Sequence, residues 1–233
     1  VPTAVLIDGA YFVKRFRQIE PQNAYNAQRA SEQAFRWAVA HLHESRSRTK
    51  HDLYRIFFYD CPPVQKKHHN PIDKRPVDFS KSTEAIFRLE LHELLKKKRK
   101  LALRLGHLAG DSGWTIKPFV VGELLKGRKK FEELAADDVY LDVRQKGVDM
   151  RIGLDIASLS FKKQVRQIVL IAGDADFVPA AKLARREGID FILDPMWQSI
   201  PASLNEHIDG LRSTCPQPGK RPRIESAEAL NAA

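Results

Sequence analysis

Five aspartates carry the spacing from which chemistry could be built. Asp8 ends the apolar run Ala4-Val5-Leu6-Ile7, and Asp174 and Asp176 follow a second run, Ile168-Val169-Leu170-Ile171, within Ala172-Gly173-Asp174-Ala175-Asp176-Phe177. If both runs are parallel strands of one sheet, these carboxylates meet at one sheet edge. Asp149 and Asp155 sit on a predicted helix leading into the second run and can add to the same crevice. Close, unpaired carboxylates repel one another and acquire raised pKa values; a divalent cation relieves the repulsion and can activate water for attack on a phosphodiester. Oxygen donors of this kind suit Mg²⁺ or Mn²⁺ rather than zinc. A plainer role competes at each position, because an aspartate after a strand is commonly an N-cap or turn residue. It weighs most for Asp155. Six residues from Asp149 is about 240° around a helix, so the two share a face poorly. Asp155 then either supports the site indirectly or faces elsewhere.

The elements that must position these groups are legible as short apolar runs alternating with helical periodicity. Ala4–Ile7 reads as a buried central strand, Ala27–His43 as a helix covering the sheet, and Leu53–Tyr59 as a strand stopped by Asp60-Cys61-Pro62-Pro63. Residues 62–79, with four prolines, His68 and His69, read as a long loop. The stretch Ser82–Leu105 is helical at first, then passes through Lys96-Lys97-Lys98-Arg99-Lys100 into a short strand. Gly106–Gly113 turns the chain, and Trp114–Val121 reads as a further strand. Asp149–Leu159 is a helix, Ile168–Ile171 a strand, Phe177–Glu187 a helix and Ile189–Leu193 a strand. These βαβ units predict an α/β fold with a mainly parallel sheet covered on both faces. After Leu211 the chain turns Pro-, Gly- and charge-rich, and 212–233 is expected to be a flexible tail.

Composition bounds the partners. The 233 residues hold 39 Lys and Arg against 29 Asp and Glu, a net charge of +10, so polyanions are favoured, nucleic acid before anionic membrane. Hydrophobic residues at 43% and charged residues at 29% exclude a disordered chain, and 12 Gly with 13 Pro exclude collagen-like architecture. Cys61 and Cys215 lack Cys-x-x-Cys spacing, which points away from disulfides or a cysteine zinc site and towards a reducing cytoplasm. No apolar run approaches the roughly 20 residues of a membrane span. The Ala4–Val13 region, interrupted by Asp8 and followed by Lys14 and Arg15, reads as neither anchor nor signal peptide.

Three segments together resemble the NYN domains, a branch of the PIN-like nucleases that includes the bacterial LabA-like proteins. They are Leu6-Ile7-Asp8-Gly9-Ala10, Gln145-Lys146-Gly147-Val148-Asp149 with Asp155 downstream, and Ala172-Gly173-Asp174-Ala175-Asp176-Phe177-Val178-Pro179 with Gly188 following. The similarity extends over residues 1–211 and takes in Gly106-His107-Leu108 and a late helix over Leu204–Asp209. It implies a single three-layer α/β/α PIN-like domain and a metal-dependent ribonuclease using Mg²⁺ or Mn²⁺. Asp8, Asp149 and Asp174 would be the metal-site carboxylates, Asp176 and Asp155 their supporters, and Lys146 a neighbour. RNA, single-stranded or structured, is preferred over DNA on the resemblance alone. The chain departs from the family pattern at Tyr11, where Asn is usual, and at Ala172 and Ala175, where Ser is frequent. Tyr11 would then stack on a base, close the pocket or pack as an ordinary aromatic. These departures motivate an alternative, a catalytically weak or inactive RNA-binding or protein-interaction module of the same fold.

Three basic clusters are candidates for phosphate contacts beside the acidic crevice: Lys14, Arg15 and Arg17; Lys97 and Arg99 within 96–100, with Arg104; and Lys129 and Lys130 within 126–130. The competing reading of any charge run is a solvated face. A haloacid-dehalogenase phosphatase also starts from a strand-end aspartate, but Ala10 stands where its general acid is required. Gly122–Lys129 lacks the Lys and Ser or Thr of a phosphate loop, His68 and His69 are adjacent rather than at helical spacing for zinc, and Cys61 reads as a passive thiol. Oligomeric state is left open, a homo-oligomer included.

Overall fold

In the computed structural model, which describes residues 1–43, 50–109 and 113–219, the first apolar run is the centre of the molecule. β1 (Pro2–Asp8) breaks directly into α1 (Gly9–Ile19), with Asp8 as N-cap. Then follow α2 (Ala27–Ala40) and β2 (Asp52–Asp60). Residues 62–79 are not one structureless loop: β3 (Lys67–His69) and β4 (Pro76–Asp78) form an antiparallel hairpin. Strands of three residues are too short to show an alternation, and Pro76 is tolerated because a two-stranded ribbon has only edges.

Ser82 caps α3 (Thr83–Lys96), which leads into β5 (Leu101–Leu105). Beyond it lie β6 (His107–Leu108), β7 (Gly113–Ile116), α4 (Pro118–Leu125), β8 (Val139–Asp142) and β9 (Gln145–Lys146). The strand expected over Trp114–Val121 is therefore cut at Lys117. Pro118 takes the first helical position, where its missing N–H costs nothing and its fixed φ starts the turn. Of the turn expected over 106–113, residues 110–112 lie outside the described residues, and 107–108 pair with β9. The last third matches its expected order: α5 (Val148–Phe161), β10 (Gln167–Ile171), a 3₁₀ turn over Ala175–Phe177, α6 (Val178–Arg186) and β11 (Asp190–Asp194). The late helix is shorter and earlier than expected: α7 (Ala202–Asn205) precedes β12 (Gly210–Leu211). Asp209 instead accepts from the Phe191 amide and from Arg185, both at 2.8 Å.

The main sheet is wholly parallel, in the order β12-β11-β10-β1-β2-β5. From β1 the chain steps outward through β2 and β5, then returns to the other side of β1 and steps outward again. That reversal is a topological switch point, and it opens a crevice at the carboxyl ends of β1 and β10. Alternation divides the strands between two layers. Ala4, Leu6, Ile168 and Leu170 meet Ile152 and Ile156 of α5 and Ala181 and Ala184 of α6. Val5, Ile7, Val169 and Ile171 share the opposite core with Phe12, Phe16, Trp37, Phe87 and Leu91 of α1, α2 and α3. The chain after Leu211 is not free at its start. Thr214 donates to the Trp37 carbonyl at 2.8 Å and Cys215 is buried, while residues 220–233 of the expected tail lie outside the described residues. No helix among the described residues is long and apolar enough to cross a membrane.

Candidate active site

Three helix starts converge on the switch-point crevice, and each brings a carboxylate. Asp8 accepts the Tyr11 amide at 3.1 Å at the mouth of α1, Asp149 stands in the first turn of α5, and Asp174 accepts the Asp176 amide at 3.1 Å as cap of the 3₁₀ turn before α6. The plain capping role is thus real at Asp8 and Asp174. It also sharpens the site, because each cap pins one carboxylate oxygen and leaves the other for a ligand, and helix N-termini favour negative charge. Close backbone approach makes the geometry possible. A Cβ on Gly9 would lie 2.5 Å from the Tyr59 carbonyl oxygen, and one on Gly106 would lie 2.7 Å from the Lys146 carbonyl oxygen. Gly147, at φ 80°, turns the chain from β9 into α5 in a conformation that L side chains rarely adopt.

The carboxylates feel one another. Burial pushes the Asp8 carboxyl up to about 6, with the charges of Asp149 and Asp60 adding to the rise and the amides of Tyr11 and Ala10 opposing it. Burial also raises Asp149, followed by the charges of Asp174 and Asp176. Asp149 is therefore the shared member of a chain of repelling groups running from Asp8 to Asp174 and Asp176. In kind, this all-oxygen set fits a hard divalent cation. In position it is open: among the described residues no three His, Cys, Asp or Glu side chains form a group able to hold one ion.

Asp155 is engaged elsewhere. Its carboxylate accepts from the Tyr59 hydroxyl at 2.7 Å and stands 3.5 Å from Arg104 Nε, so it ties α5 to β2 and β5. Tyr11, a candidate for base stacking, packs its ring where a Cβ on Gly173 would lie, 2.7 Å away, and donates its hydroxyl to the Pro195 carbonyl at 2.6 Å. Its ring and its hydroxyl are thus both taken up by contacts within the fold.

The basic candidates separate sharply. Lys146 is exposed, three residues before Asp149, and Lys14 is exposed on α1. Arg15 is buried, 5% exposed, and its guanidinium grips the Met196 carbonyl; Arg17 is spent on Ala24 and Glu84 and lies over the Tyr25 ring. Lys97 and Arg99 are exposed, but they follow α3 into the start of β5, at the amino edge of the sheet and opposite the carboxylates. Lys129 pairs with Asp138 at 2.5 Å, and its neighbour Lys130 is exposed. Lys146 is joined on the carboxyl edge by further cations: exposed Lys66, Lys67, Lys74 and Arg75 in and beside the β3–β4 hairpin, Lys81 before α3, and Arg151 in α5. Buried Asp60 also escaped sequence reading. It ends β2 and binds Arg88 and His92, the latter at 2.8 Å. Only its place beside Pro62 and Pro63 at a strand end could have flagged it.

A wholly parallel sheet in this strand order, covered by helices on both faces and with an acidic crevice at its switch point, is an α/β architecture consistent with a PIN-like fold. Residues 123–209 match the NYN domain family, so the chain carries an NYN domain match that spans Lys146, Asp149, Asp174 and Asp176 and leaves Asp8 outside it. No curated protein matches the chain. It is similar to a solved structure of a protein of unknown function from Vibrio parahaemolyticus, at 14% identity and a TM-score of 0.43, over 90% of each chain.

Proposed function

We propose that the crevice hydrolyses RNA phosphodiester bonds with the aid of Mg²⁺ or Mn²⁺. What carries this reading is the electrostatic coupling of Asp8, Asp149 and Asp174 at the switch point, three carboxylates held at helix starts with the Asp8 and Asp149 carboxyls pushed above their ordinary range. Capping accounts for Asp8 and Asp174 singly but not for their convergence with Asp149, and an opposing charge would relieve the repulsion. Asp8, Asp149 and Asp174 are the carboxylates that would supply the cation's donors, by drawing together from the open arrangement described above, with Asp176 adding negative charge and, through its amide, fixing Asp174. When bound, the cation supplies positive charge against the scissile phosphate and activation of the attacking water. Lys146 and Arg151, exposed and close to Asp149 in the chain, would receive flanking phosphates in this reading. Asp155 acts through Tyr59 and Arg104 as a brace of α5 and is not a ligand in this scheme.

The test is incubation of labelled single-stranded RNA with the protein in Mn²⁺, in Mg²⁺ and in EDTA, beside Asp174→Asn purified identically. Cleavage that needs the metal and disappears in the variant is the expected result. A second reading, an RNA-binding module without catalysis, is favoured by the open carboxylate arrangement and by Tyr11 filling the space beside Gly173. Tight RNA binding with no cleavage under either metal would replace the first reading with the second.

A further inference from the structure

We propose that the cavity next to the carboxylate crevice is a base-reading subsite that takes a guanine of the RNA strand. This rests on the ribonuclease reading and extends it to substrate choice. The cavity, about 230 Å³, is walled by Cys61, Pro62 and Phe79 and carries Glu84, Arg88 and Gln145 among its polar groups. Its size is below the 300–1,000 Å³ typical of drug-sized ligand pockets and suits one planar ring system. It lies on the same edge as the carboxylates. Cys61 directly follows β2, whose Tyr59 pairs in register with Asp8, and Gln145 is four residues before Asp149. Gly106 threads between the two segments, where an added Cβ would meet the Lys146 carbonyl at 2.7 Å and Cys61 Sγ at 2.9 Å.

The polar wall is already built and oriented. Glu84 accepts from Arg88 Nε at 2.8 Å and from Arg17 Nη2 at 2.6 Å, one bond to each oxygen, so about half of its acceptor positions remain. Arg88 spends Nε on Glu84 and Nη1 on the fully buried Asp60, which locks the guanidinium and leaves Nη2 to donate. The wall therefore offers a fixed donor beside a fixed anionic acceptor. Guanine is the complement, with carbonyl O6 next to two adjacent donors, N1–H and the N2 amino group. Adenine and cytosine place their amino group where Arg88 donates, and uracil presents a second carbonyl to the carboxylate. Phe79, braced by His68 at a 5.8 Å ring separation and Trp114 at 6.2 Å, supplies the aromatic surface that an unstacked base requires. Exposed Lys67 and Lys81 sit in the segments flanking the cavity wall, where the strand's phosphates would run.

The deciding experiment measures binding of four labelled hexanucleotides, differing only in one central base, to the full chain in EDTA, so that affinity is read apart from cleavage. The guanine-containing strand should bind roughly tenfold more tightly than the other three. That preference should shrink to less than about twofold in Val64→Trp, which plugs the cavity, and in Glu84→Gln, which removes the anionic acceptor. Because Glu84 also ties two arginines, melting curves accompany both variants, and Val64→Trp decides if Glu84→Gln does not fold. Equal affinity for all four strands, with metal-dependent cleavage intact, overturns the subsite and leaves the nuclease. Guanine-selective binding without cleavage in either metal upholds the pocket and removes the nuclease. Free guanosine monophosphate binding as tightly as the guanine strand would overturn an RNA subsite in favour of a nucleotide site.

Discussion

At the scale of the residue, Asp8 does two jobs that conflict. It caps α1, which favours folding, and it holds a carboxylate in a buried place beside Asp149 and Asp60, which does not. Its carboxyl titrates at about 6 when folded and near 3.8 when unfolded, so the folded state binds the proton more tightly. Asp8 therefore costs the metal-free protein stability progressively as pH rises from about 4 through about 6. Asp8→Asn keeps a capping oxygen and removes the charge. In EDTA at pH 7 it should be more stable than the parent by about 1–3 kcal/mol, with the gap closing below pH 4, as urea titrations across pH would register. Asp60 runs the other way. Although burial opposes it, its bonds to His92 and Arg88 hold it below the usual carboxylate range, so its contribution is present above about pH 4 and is lost on further acidification. Breaking that buried pair with Arg88→Met should cost about 3–5 kcal/mol, measured by the same titration at neutral pH.

At the scale of the element, two glycines set how closely strand ends and helix starts approach. A Cβ on Gly9 would meet backbone, the Tyr59 carbonyl at 2.5 Å, which cannot move without shifting β2. A Cβ on Gly173 would meet the Tyr11 ring, a side chain that can be replaced. Gly9→Ala should therefore destabilise by about 3 kcal/mol and Gly173→Ala by about 1–2 kcal/mol. Adding Tyr11→Asn should relieve the second loss but not the first, a coupling that a double-mutant cycle on thermal unfolding would detect. These contacts explain what was legible and what was not. The buried parallel strands announced themselves, because a strand covered on both faces is a continuous apolar run. Helix α1 was not read at all: Tyr11, Phe12 and Val13 extend the apolar look of β1, and only Asp8 acting as a cap reveals that the strand has ended. The β3–β4 hairpin was hidden by its prolines, and α4 by β-branched Val120 and Val121, which look like strand until Pro118 fixes the start of a turn.

At the scale of the whole molecule, an excess of positive charge surrounds a negative crevice, but location decides which cations matter. The carboxyl edge carries the hairpin lysines, Lys81, Lys146 and Arg151, whereas Lys97 and Arg99 occupy the opposite edge. If RNA crosses the carboxyl edge, removing Lys66, Lys67 and Lys81 together should lower the slope of log affinity against log salt by about 2, from roughly 0.7 per released phosphate contact on a single strand. Removing Lys97 and Arg99 should leave that slope unchanged. Anisotropy titrations over a series of salt concentrations make the comparison, and equal effects from both sets would show binding that ignores the crevice.

By itself the sequence determined the alternation of strands and helices, the parallel sheet, and the strand-end positions of Asp8 and Asp174. These follow from local apolar patterning, which does not depend on what lies across the fold. Only the tertiary structure decided that Asp149 couples Asp8 to Asp174 and Asp176 while Asp155 turns to Tyr59 and Arg104, that Arg15 is buried under Met196, and that Arg88 and Glu84 stand together in a cavity beside Asp60. A charged side chain has the same identity in sequence whether it faces solvent, a carbonyl or a pocket. Which of these it meets is set by strand order and by backbone approach at Gly9, Gly106 and Gly173, contacts between residues far apart along the chain.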